Sequence, residues 1–125
     1  MNMLKKHKKG KLFTMETMVE ERERLWRKRR KLVLVNGCFD LLHAGHVEFL
    51  EFARQQGHAL LVVLLSDVSI RKTKGEGRPL HPEADRARIL GALEMVDYVL
   101  IADTEAIEGI VATLLPEVVV RGKGW

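Results

Sequence analysis

This sequence predicts an α/β three-layer sandwich, one parallel sheet with helices on both faces. Three observations carry that reading. The apolar runs Leu32–Val35, Ala59–Leu65, Tyr98–Ala102 and Val118–Val120 are unbroken by polar residues, as in parallel strands buried on both faces. Helix-period patterns stand between them, and right-handed crossovers then place helices on either side of the sheet. A chain of 125 residues, 46% apolar and 30% charged, fits one domain with one sandwich core. Two independent cores and a disordered chain are excluded.

Each element has its own signal. Met1–Lys11 holds five lysines and reads as a mobile basic arm ahead of a domain over residues 12–125. From Thr14 a helix pattern sets Met15, Met18, Val19, Leu25 and Trp26 on one side, with Glu20–Arg24 and Arg27–Lys31 toward water. The first strand, Leu32–Val35, ends at Asn36-Gly37. A second helix is predicted from about Gly45 to Gln56, with Val47, Leu50 and Ala53 inward and Gly57 as its stop. Ala59–Leu65 is the second strand, and Arg71–Pro79 is a polar, glycine-bearing loop. Pro82 opens a helix that runs through Met95. Tyr98–Ala102 is the third strand. Asp103 caps a helix over Thr104–Leu115, Pro116 stops it, and Val118–Val120 is the fourth strand.

Charge is divided unevenly. Residues 1–31 hold 12 Lys/Arg against 4 Glu, whereas residues 32–125 hold 9 against 13 acidic side chains. The net charge of +4 therefore arises in the first quarter of the chain. A specific nucleic-acid reader carries its positive charge on the folded surface. The basic segment thus reads as solvated, with weak non-specific polyanion binding as a side effect. One cysteine, Cys38, makes no internal disulfide, and a reducing, cytoplasmic setting is the expectation. No apolar run approaches the roughly 20 residues of a bilayer span, and no signal-peptide stretch follows the basic start, so no membrane partner is expected.

The densest cluster of functional side chains follows the first strand: Asn36-Gly37-Cys38-Phe39-Asp40-Leu41-Leu42-His43-Ala44-Gly45-His46. Doubly wound sheets bind ligands beyond the carboxyl ends of their strands, and this run sits there. His43 and His46 flank Gly45 at a helix start. Unpaired N–H groups and the helix dipole favour an anion at that point, and the glycine lets backbone approach it closely. Together they form a cradle for a nucleoside triphosphate. Zinc on His43, His46 and Cys38 is the rival reading, but no fourth ligand is near and Gly45 is left unexplained. Cys38 reads as a packed side chain rather than a nucleophile. Asp40 is a turn residue or an orienting group. Lys72 and Lys74 are solvated charges or phosphate clamps, with Arg71 a third choice. Arg86 either pairs with a carboxylate such as Glu83 or reaches the nucleotide or substrate.

The run Asn36–His46 resembles the H-x-G-H motif of the nucleotidyltransferase superfamily, with its preceding Gly-x-Phe-Asp element intact. Ser66-Asp67, Lys74–Pro79, Glu83–Arg86 and Val96–Val99 stand in the order found in the adenylyltransferase domains of ADP-heptose synthases. The likeness runs from about Lys11 to the last residue. It implies a Rossmann-like fold and an enzyme that moves AMP from ATP, with Mg²⁺, onto D-glycero-β-D-manno-heptose 1-phosphate and releases pyrophosphate. It implies His43, His46 and Lys74 as catalytic residues. Asn36, Gly37, Cys38, Phe39, Asp40, Gly45, Lys72 and Arg86 become nucleotide-binding residues, and no metal ligand is drawn from the protein. The same motif serves cytidylyltransferases acting on glycerol 3-phosphate or other phosphorylated acceptors. A non-catalytic nucleotide-binding module is a further alternative, and a homodimer stays open. Three departures stand out. Leu65-Ser66-Asp67 replaces Asn-Ser-Asp, and Gly122-Lys123-Gly124-Trp125 lacks the acidic residue of Gly-Gly-Asp-aromatic. The Ser-Thr-Thr element expected after a further strand is not found in these 125 residues.

Overall fold

A computed structural model describes residues 10–121. The lysines before Gly10 and the Gly122–Trp125 departure lie outside the described residues. Strands β1 (Leu32–Gly37), β2 (Ala59–Leu65), β3 (Tyr98–Ala102) and β4 (Val118–Val119) form a parallel sheet in the order β3-β2-β1-β4. Val35 pairs with Val62, Val63 with Leu100 and Val33 with Val118. The chain steps outward from β1 to β3 and then crosses to the other side of β1. Strand order reverses there, so the carboxyl end of β1 is the switch point where such sheets hold ligands.

Five helices connect and flank the described strands: α1 (Met15–Arg27), α2 (Ala44–Arg54), α3 (Asp67–Lys74), α4 (Glu83–Gly91) and α5 (Ile107–Leu114). The two-residue period of β1 divides the core. Leu32 and Leu34 face Met18 and Leu25 of α1 and Ile110 and Leu114 of α5. Val33 and Val35 face Leu50 and Ala53 of α2 and Ala87 and Leu90 of α4. This is the three-layer sandwich that the apolar runs predict, because both faces of the central strands must be covered.

Several expectations are corrected. Arg22, placed on the water-facing side of α1, is only 1% exposed. Its Nε donates to Leu114 O at 2.7 Å, and its Nη2 donates to Leu115 O at 2.7 Å and Glu117 Oε2 at 2.9 Å. The carbonyls left open at the end of α5 draw the guanidinium in. Val19 and Trp26, expected inward, are 38% and 44% exposed. Arg71–Lys74 belong to α3 rather than to a loop, because the Ser66 hydroxyl accepts the Ser69 N–H and caps that helix. The helix opened by Pro82 stops at Gly91, short of Met95. Asp103 makes no side-chain cap; its carboxylate accepts the Ser66 hydroxyl at 2.5 Å, and the turn Thr104–Ala106 is 3₁₀. β1 extends to Gly37, and β4 covers Val118–Val119 only.

Lys11, read as the end of a mobile arm, is held. Its carbonyl accepts the Val99 N–H at 2.8 Å, and Phe13 N–H donates to Val99 O at 2.8 Å. The segment thereby lies against the outer edge of β3, where Leu12 bridges Val99 in parallel.

Candidate functional site

β1 delivers its last residue, Gly37, to the switch point, and the chain turns at once. Phe39 adopts left-handed backbone with φ 47° and is 4% exposed. A β-carbon on Gly37 would stand 2.9 Å from Phe39 Cε2, so glycine is what lets the aromatic ring fold back onto the strand end. A left-handed non-glycine residue costs roughly 1–2 kcal/mol. Here burial of the Phe39 ring in the α2/α4 core offsets that cost.

Asp40 bonds to the segment ahead of α4. Its carboxylate accepts Leu80 N–H at 2.7 Å and His81 N–H at 2.9 Å, with Arg78 Nη1 at 3.9 Å. Burial alone would raise its pKa. The two main-chain donors, with the Arg86 and His81 charges, outweigh burial and hold the carboxyl below its usual value. Asp40 thus clasps the segment before α4 to the motif loop.

His43 occupies the N-cap of α2. Gly45 N–H donates to His43 Nδ1 at 3.0 Å, and His43 N–H donates to His46 Nδ1 at 3.2 Å. A ring nitrogen that accepts carries no proton, so in each of these imidazoles the proton sits on Nε2. The rings lie 4.0 Å apart, and Phe39 meets His46 edge-on at 5.7 Å. Burial, then the neighbouring His43, lowers the pKa of His46 below 6.5. A β-carbon on Gly45 would stand 2.8 Å from His43 Cε1, so only glycine lets that ring lie over the helix start. The arrangement sets two imidazoles at a positive helix end, a setting for phosphate oxygens.

A cleft of about 410 Å³ opens beside His46, lined also by Gly37, Cys38, Asp40 and, from the end of α3, Lys74. The structure brings Lys74 to this cleft, whereas Lys72, two residues earlier on α3, does not line it. Cys38 is half-buried there. Asn36 is separated from its sequence neighbours: the pleat turns it to the α1/α5 face. It lines a second groove of about 640 Å³ with Thr104, Glu108 and Arg121. The switch point therefore carries one cleft on each face of β1. Among the described residues, no three His, Cys, Asp or Glu side chains gather as a metal site.

Arg86, expected at the nucleotide, is 1% exposed and engaged by protein. Nε donates to His81 O at 2.9 Å, Nη1 to both Cys38 O and Leu65 O at 2.8 Å, and Nη2 to Asp67 Oδ1 at 2.7 Å. Its partner is Asp67, not Glu83, whose carboxylate instead accepts the Asp67 N–H at 2.8 Å. Sequence reasoning assigned Asp67 no role. Its place directly after a strand's carboxyl end, in register with the Glu83–Arg86 element, was the available signal.

A family model described as cytidylyltransferase-like matches residues 34–124. The bifunctional protein HldE of Wolinella succinogenes is 49% identical over 98 residues, covering 78% of this chain and 21% of that protein. HldE of Geobacter metallireducens is 50% identical over 93 residues, covering 74% and 19%. The chain spans about a fifth of the length of these curated relatives. The crystal structure of the lipopolysaccharide core biosynthesis protein from Thermoplasma volcanium GSS1 matches with a TM-score of 0.66 at 26% identity, over 72% of each chain.

Proposed function

The chain belongs to the cytidylyltransferase-like family, and from that premise we propose that it transfers AMP from ATP to D-glycero-β-D-manno-heptose 1-phosphate, giving ADP-heptose and pyrophosphate. The observation that carries the reading is the pair of imidazoles at the start of α2, with His46 and Lys74 lining one cleft. The order of motifs from Asn36 to Val99 and the near 50% identity to HldE proteins favour adenylyl transfer to a heptose phosphate over its relatives.

The chemistry asks for alignment and charge stabilisation more than for acid–base work. An oxygen of the sugar phosphate, already ionised at neutral pH, attacks the α-phosphorus of ATP. The new P–O bond forms as the bond to the bridging α–β oxygen breaks, and pyrophosphate leaves with its electron pair. His43 and His46 donate to the non-bridging oxygens as charge grows there. Lys74 offsets the charge brought together when two polyanions share one cleft. Gly37 and Gly45 keep β-carbons out of the cradle. Mg²⁺ would arrive on the triphosphate, the usual arrangement where substrate phosphates supply most ligands. No helix of the described residues is long and apolar enough to cross a membrane, and the cytoplasm supplies the nucleotide.

A pyrophosphate-release assay crossing ATP and CTP with heptose 1-phosphate and glycerol 3-phosphate tests this. Turnover is expected with ATP and the heptose. Turnover with CTP and glycerol 3-phosphate alone would move the protein to the other branch. ATP binding by calorimetry, without pyrophosphate release from any pair, would make it a binding module.

A further inference from the structure

We infer that Asp67 and Arg86 form a positioning pair that sets the separation of His46 and Lys74 across the cleft. Arg86 lies on α4 with its side chain fully buried, and Asp67 is the first residue of α3. One nitrogen, Nη1, holds both Cys38 O of the motif loop and Leu65 O at the end of β2. Nη2 holds the Asp67 carboxylate, and Nε holds His81 O in the segment that Asp40 clasps. The motif loop, the end of β2, the start of α3 and the segment ahead of α4 are therefore fastened to a single guanidinium.

The lever is α3 itself. Asp67 anchors its first turn and Lys74 ends it. Eight residues rise about 12 Å, so a tilt of about 10° at the anchored end displaces Lys74 by about 2 Å. Misplacement of about 1 Å costs on the order of a hundredfold in rate. Arginine is required for the joint, because its planar fork reaches four acceptors in fixed directions, whereas lysine offers one compact charge. Neither Asp67 nor the guanidinium needs to touch substrate, and both act through Lys74 and the motif loop.

The kinetic arm rests on the nucleotidyl-transfer reading, so a second arm is independent of it. Asp67→Asn keeps the shape and removes the charge; Arg86→Lys keeps the charge and removes the fork. Both variants of the full chain are expected to lose about tenfold to a hundredfold in kcat. The KM for ATP should stay within about threefold, because a displaced Lys74 still attracts the triphosphate. In a Lys74→Ala background the kcat loss from Asp67→Asn should shrink to under about threefold, the non-additivity of residues acting through one another. The second arm is alkylation of Cys38 by iodoacetamide, expected to quicken about fivefold or more as its loop loosens. Unchanged kcat in a folded Asp67→Asn protein, or an undiminished loss in the Lys74→Ala background, overturns the inference. If Arg86→Lys fails to fold, Asp67→Asn decides alone. If the wild type transfers nucleotide to no acceptor, the functional reading fails. Unchanged Cys38 alkylation in Asp67→Asn would then overturn the pair separately.

Discussion

Arg22 and Arg86 are equally buried, each on a helix, each satisfying main-chain carbonyls and one carboxylate, yet they stand at opposite ends of the sheet. Arg22 closes the amino end. It caps α5, pairs with Glu117, and through that carboxylate reaches the Leu32 N–H at the start of β1. Among the described residues its Nη1 is buried without a hydrogen-bond partner, and the guanidinium carbon lies 4.3 Å from the Trp26 ring. Arg86 closes the carboxyl end, and its acceptors belong to the loops around the cleft. The same side chain thus secures packing at one end and geometry at the other. Substitutions at the amino end are expected to cost stability and spare the rate; those at the carboxyl end should do the reverse.

The histidines sharpen that contrast most. His43→Ala or His46→Ala should lower kcat on the order of a hundred- to a thousandfold, with a smaller rise in the KM for ATP. Steady-state kinetics beside a thermal melt checks it; an effect confined to KM would reduce the histidines to uniform binding. At the other end, Arg22→Ala should cost about 3 kcal/mol of unfolding free energy by denaturant titration, since it strands Glu117 and the α5 carbonyls. The kcat per folded molecule should not change, and a fall in kcat would break the comparison. Lys74→Ala should lower kcat about tenfold to a hundredfold, at least as far as Asp67→Asn does, and raise the KM for a polyanionic substrate, and Lys72→Ala should do less.

Acid distinguishes the ends with the smallest effect. His46 has its folded pKa lowered, by burial first and then by His43, below the 6.5 of a free side chain. Between those values the unfolded chain binds more protons, so the contribution is complete above about pH 6.5 and is lost as pH falls through the folded value. At Glu117, burial is outweighed by Arg22 and the Leu32 N–H, and the pKa lies below 4.5. That contribution persists to lower pH, being lost only as pH drops below 4.5 through the folded value. Denaturation midpoints of His46→Gln should therefore lack a loss in weak acid, and those of Glu117→Gln a loss in stronger acid. Interchanged pH ranges would contradict the assignment.

The strands were legible because burial on both faces leaves runs such as Ala59–Leu65, whose ends coincide with the observed β2. The helix α3 was hidden: of Asp67–Lys74 only Ser69 and Ile70 are buried, so no apolar stripe marks it. Its cap, Ser66, was the readable sign. Burial of Arg22 depends on acceptors about 90 residues away in sequence, which no local pattern displays. The motif Asn36–His46 was conspicuous as a string of residue types. Its split between two clefts follows from the pleat, which sends Asn36 and Gly37 to opposite faces. Arg86 was read as a carboxylate's partner or a nucleotide contact; the structure shows the first, with Asp67, a pairing across 19 residues that no local pattern displays.

The contact of Lys11–Phe13 with Val99 has a consequence for solution behaviour. β3 ends the sheet on one side, and a bare outermost strand is a template on which strands of other molecules can add. Three residues laid along it occupy the first of those open positions, and the Lys11 ammonium, bonded to Leu93 O at 2.9 Å, sets a charge beside them. Proteolysis between Phe13 and Thr14 would strip that guard while leaving the cleft residues covalently untouched. The nicked protein should retain its nucleotide cradle and begin to aggregate through β3.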